Sequence, residues 1–289
     1  MSTLRNANEA KVLVSEFLTK KLSKQETISQ IEHYTEVKTV TETTNLDEHI
    51  AGLETWLASD ELNTGQFHQS LDTLLLELIE LRALFHAFIE VGKENEEFFE
   101  NELFGTALFQ QWKVGSVHIM YSALSKLVSY GSQDKSFIKL WSRIESFMED
   151  EIEKSEFEYI CDILKNQDDK RFVNATSGAI RFRNKVIAHN QLSLEPELEI
   201  LDKDIQELVR VWGLLILFHS RGIILPFRKA NIAFSGFSKF LDTRNLRLLR
   251  NARQTFLDEI KLWSTTNLVT GELDDKGPFL ELKVSLKFE

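Results

Sequence analysis

Between Leu71 and Phe88 the apolar residues Leu71, Leu74, Leu75, Leu78, Leu81, Phe85 and Phe88 recur at steps of three and four. That spacing is one face of a long α-helix, and no glycine or proline interrupts it. The same condition holds over most of the chain, since only 12 Gly and 3 Pro occur in 289 residues. With so few breakers and abundant Leu, Glu, Lys and Phe, the chain reads as mostly α.

Further helices follow from the same pattern. The stretch to about Lys38 predicts one or two helices on Val12, Phe17, Leu22, Ile28 and Ile31, and a short one follows around Leu53 to Leu57. Between them, "EVKTVTETTN" (36–45) is rich in Thr and Val and reads as a strand or a linker. A long helical run covers about Glu97 to Tyr130, with a bend expected near Gly115. Another runs from Ser136 to about Leu164, broken at "EDEIEKSE". Lys170 to His189 forms the next helix, "QLSLEPELEI" a loop, and Asp204 to Ile224 a core helix. Residues 66–226 then make an antiparallel bundle of about five helices. Residues 1–65 form an N-terminal helical extension, and 227–289 a basic helical segment ending in a strand. In that strand Leu280, Leu282, Val284, Leu286 and Phe288 alternate with polar residues.

The formal net charge of -11 argues against a surface that attracts nucleic acid indiscriminately. The charge is uneven, however: seven cations face Asp242 alone between Arg228 and Arg253. The start of the chain lacks the apolar core of a secretory signal. The most apolar run, "VWGLLILF" (211–218), is far short of the roughly 20 residues a membrane span needs. One cysteine, Cys161, excludes an internal disulfide and reads as a buried thiol. Together these features predict a soluble protein of a reducing cytoplasm. There is no HExxH, no Cys-His metal spacing, no P-loop and no GxGxxG, so no metal or cofactor is expected. His86 and His118 sit in apolar helical surroundings and read as core or interface residues.

The segment "RFRNKVIAHN" (181–190) carries the chemistry. On an ideal helix Phe172, Ala175, Ala179, Phe182 and Val186 form one stripe, widened by Ile180 and Ile187. Asn174, Ser177, Arg181, Asn184 and Lys185 take the other side. Arg183 and His189 are six residues apart, so they point about 120° away from each other. To act together, the helix must unwind at His189 or a second copy must supply one of them. His189 extends the apolar stripe, which fits a core histidine at a helix end. Helix-end carbonyls would also let its ring titrate near neutral pH, as a general acid or base does. Asn190 fits a helix terminus, since Asn tolerates the left-handed conformation.

"RNKVIAHN", late in the penultimate helix of a bundle and ahead of a very apolar helix, resembles the signature of the HEPN superfamily. The likeness is to its abortive-infection and toxin-like branch. "LRALFHAFIEVG" and "ENELFGTALFQQWKVGSVHIMYSALSKLVSY" are similar in kind to that branch's aromatic-rich early helices. The resemblance implies a HEPN-type bundle acting as a homodimer, with both motifs lining a cleft between protomers. It implies a metal-independent endoribonuclease of phage defence or a toxin–antitoxin system, with an antitoxin or defence protein as a further partner. Some members of the family bind nucleotides or proteins without cutting RNA, which leaves a non-catalytic module as the alternative. Catalytic roles fall on Arg183, Asn184 and His189, with Lys185 and Asn190 beside the RNA. Gln191 stands where one branch has a tyrosine that accepts a silencing nucleotide, so that control has no acceptor here. Arg244, Arg247 and Arg250, continued by Arg253, are spaced as a basic ridge for phosphates, or as a solvated helix face.

Overall fold

The computed structural model describes residues 4–18, 24–40, 46–58, 70–94, 98, 102–131, 134–149, 152, 154–165, 172, 177–188, 196–218 and 233–265. Among them are eleven α-helices, one π-helical turn and one 3-10 turn, and no strand. The alternating segment 280–288 lies outside the described residues.

Two compact units form: Thr19–Ser70, and Met1–Leu18 together with Leu71–Glu289. In the first, α2 (Lys24–Val40) and α3 (Leu46–Leu57) pack on each other. The Thr-rich stretch is therefore helical as far as Val40, not a strand or linker, and residues 41–45 lie outside the described residues. Thr35 shows how a β-branched hydroxyl residue is accommodated there: its Oγ1 donates to the Ile31 carbonyl at 2.7 Å.

The second unit begins with α1 (Ala7–Leu18), which packs on α4 (Leu71–Glu94) and α7 (Phe137–Met148). Between these come α5 (Glu102–Gly105) and α6 (Ala107–Leu127). The break falls at Gly105–Thr106, not at Gly115, because Thr106 caps a new helix by accepting the Phe109 N–H. Gly115 lies within continuous helix. Next come α8 (Lys154–Lys165), α9 (Gly178–Phe182), the π-helix Arg183–Ala188, α10 (Leu198–Phe218) and α11 (Thr243–Thr265). The break expected inside 136–164 is present between α7 and α8. Helix α10 starts at Leu198, two residues after Pro196 and earlier than the Asp204 expected from the sequence.

Helix α4, about 36 Å long at 1.5 Å per residue, threads two cores. Its first half, with Leu75 and Leu78, joins Trp141, Leu208 and Trp212 in the larger core. Its second half, with Phe88 and Val91, joins an aromatic core of Phe98, Phe104, Phe109 and Phe234. Burying each such leucine or phenylalanine contributes about 1.5–3 kcal/mol, which is why the three- and four-residue spacing is decisive. Helix α11 lies along α4, so the described parts of the segments drawn from sequence at 66–226 and 227–289 share one packed body with α1. Among the described residues no helix is long and apolar enough to cross a membrane.

Candidate functional site

The motif is held from below by a short helix. Ser177 is buried; its Oγ accepts the Ile180 N–H at 3.2 Å and donates to the Asp204 carboxylate at 3.1 Å. It is thus an N-cap tied into the core, not a solvent-side residue of a helix running from Lys170. Ala179, Ile180 and Phe182 of α9 are buried, and the Phe182 ring lies 4.6 Å from that of Tyr121 on α6. At the surface, Arg181 reaches Glu197 at 3.2 Å.

Past Phe182 the backbone widens into the π-helix over "RNKVIA". Its bonds run to the fifth residue, so a 100° projection does not carry through it. Val186 and Ile187 stay packed against the large core, while Arg183 and Lys185 are exposed. The Arg183 Nη1 donates to the Asn184 Oδ1 at 2.8 Å. A guanidinium carries five N–H groups in a planar fork, so this bond steers it while leaving donors for an oxyanion. The structure therefore brings Arg183, Asn184 and Lys185 together on one turn. His189 and Asn190 lie outside the described residues.

The arginine row on α11 divides. Arg244 and Arg247 are exposed, with no partner among the described residues. The Arg250 Nε donates to the Ala233 carbonyl at 2.9 Å. Arg253 is buried and forms a two-pronged pair with Glu80 on α4, with Nε to Oε1 at 2.8 Å. Arg253 is thus structural, while Arg250, half-buried, has one nitrogen engaged, so the four arginines do not form one uniformly exposed row. Arg228 and Lys229 lie outside the described residues.

Other expectations divide too. His86 is half-buried beside Phe256, with ring centroids 4.9 Å apart, and burial holds its pKa below the ordinary value, helped by the Arg82 guanidinium. His118 is exposed on α6 rather than in a core. Cys161 is half-buried on α8, its thiol 3.6 Å from the Glu145 carboxylate. Among the described residues no group of three or more His, Cys, Asp and Glu side chains is placed to hold a metal ion.

Residue patterning missed Ser177 and Asp204, although a serine ahead of "GAIRF" is a readable capping signal. In comparisons with known proteins, no family model, no curated protein and no solved structure matches this chain.

Proposed function

We propose that this chain is a HEPN-like, metal-independent endoribonuclease that acts as a homodimer in phage defence or a toxin–antitoxin system. The observation that carries the reading is an exposed Arg183, steered by Asn184, on a π-helical turn within "RNKVIAHN". In this reading Arg183 grips the scissile phosphate and stabilises its developing charge. His189 takes the proton of the ribose 2′-hydroxyl, whose oxygen attacks phosphorus, and the departing 5′-oxygen takes a proton from water. A 2′,3′-cyclic phosphate and a 5′-hydroxyl result. Lys185 and Asn190 sit beside the RNA, and Arg244 and Arg247 supply further phosphate contacts. A second copy brings its own Arg183 and His189 to the shared cleft.

The net charge of -11 favours a second reading, a non-catalytic nucleotide- or protein-binding module of the same fold. Incubating purified protein with total RNA, with and without EDTA, separates the two. Cleavage should survive EDTA, and Arg183→Ala and His189→Ala should each abolish it while melting temperature stays nearly unchanged. Light scattering should give about twice the 33.5 kDa chain mass. A strict Mg²⁺ requirement, persistent cleavage by His189→Ala, or a monomer at high micromolar concentration defeats the ribonuclease reading.

A further inference from the structure

Among the described residues, the aromatic core at the far end of α4 leaves open space. Phe88 stands at its centre, with the rings of Phe104, Phe109, Trp112, Phe234 and Phe237 between 5.2 and 6.0 Å away. A cavity of about 340 Å³ lies among the rings of Phe88, Phe109, Trp112, Phe234 and Phe237, walled also by Leu84, Leu103 and Leu108. Leu108 at its edge is 78% exposed. A neighbouring cavity of about 240 Å³ shares Phe88, Phe109 and Trp112 and reaches Gln110 and Lys113.

Two features argue against a packing accident. The space opens to solvent past the exposed Leu108, so a ligand has a way in. One wall carries Phe234 at φ 65°, a left-handed conformation that costs a bulky residue roughly 1–2 kcal/mol. The size, near the lower end of the roughly 300–1,000 Å³ range for small-molecule pockets, suits one compact ligand.

We propose that this cavity is a binding site for a small apolar anion, an aryl or alkyl body ending in a carboxylate or sulfonate. Among the described residues the walls offer ring faces and aliphatic carbons with no charged group, which selects an apolar body. The neighbouring cavity is lined in part by the exposed Lys113, whose positive charge selects an acidic end. The site draws on α4, α5, α6 and the turn before α11, and uses none of Arg183, Asn184 or Lys185.

The test is an equilibrium titration of the full chain with anilinonaphthalene sulfonate, with naphthalene as an uncharged control. Saturable one-to-one binding that raises the melting temperature is expected. Leu108→Trp puts bulk at an exposed rim without disturbing the core, and should weaken both probes by about tenfold, or 1.4 kcal/mol. Lys113→Gln should weaken the sulfonate by about threefold, as an exposed charge pair does, and leave naphthalene unchanged. Non-saturable binding, equal affinity in Leu108→Trp, or an equal effect of Lys113→Gln on both probes overturns the proposal. None of these readouts depends on RNA cleavage.

Discussion

Four arginines spaced three residues apart on α11 meet different surroundings, and helix geometry says why. A three-residue step drifts about 60° around the axis, so three steps carry the row through about 180°. Arg244 therefore faces solvent while Arg253, nine residues on, faces α4 and Glu80. The spacing was legible in the sequence; the direction of docking, which decides where the ridge ends, was not. Arg253→Ala should destabilise the fold by about 2 kcal/mol, through the lost charge-assisted bonds and the lost packing of its stem. Glu80 is 41% exposed, so water recovers part of the loss. Arg244→Gln and Arg247→Gln should leave the urea midpoint unchanged. If these two touch phosphates, each should flatten the salt dependence of RNA binding by about one unit of slope. A midpoint for Arg253→Ala equal to wild type, or a lower one for Arg247→Gln, contradicts this division.

At the scale of elements, capping decided more than periodicity. Thr106 and Ser136 each accept an N–H three residues on and start α6 and α7. Ser177 does the same for α9, and the helix read from Lys170 consequently begins at Gly178. The π-helical turn was not legible, because nothing in the composition of "RNKVIA" separates a bond to the fourth residue from one to the fifth. Its register depends on what Phe182, Val186 and Ile187 pack against, and those neighbours are distant in sequence. Ser177→Ala removes the cap and takes the hydroxyl donor from buried Asp204, so a loss of about 2 kcal/mol is expected. The amides of Arg183–Ala188 should then exchange with solvent faster than those of α6. Unchanged protection there would mean that side-chain packing alone fixes the turn, and that Ser177 positions only α9.

Across the whole molecule, scarce glycine and proline made the helical class legible, and the apolar run 211–218 correctly marked a core helix. What joins α10 to its surroundings was hidden, because each partner lies far away in the chain. Arg210 pairs with Glu156 across 54 residues, Arg82 with Asp202 across 120, and Trp212 donates to Asp72 across 140. Read locally, Arg210 is a charge misplaced in an apolar helix; in the fold it is 1% exposed and forked onto the Glu156 carboxylate at 2.6 and 2.5 Å. Such a pair recovers through attraction the large cost of stripping both ions of water. Arg210→Met leaves Glu156 buried without its cation, and should cost about 3–5 kcal/mol. At the scale of a chain this long that lowers the melting temperature by about 10 °C. Adding Glu156→Leu removes the stranded carboxylate and should restore most of the loss, since apolar packing replaces buried ion pairs at little cost. Calorimetry of wild type, both single variants and the double variant measures the coupling directly. A double variant no more stable than Arg210→Met would show that the guanidinium serves α10 through other contacts, and that Glu156 is incidental to it.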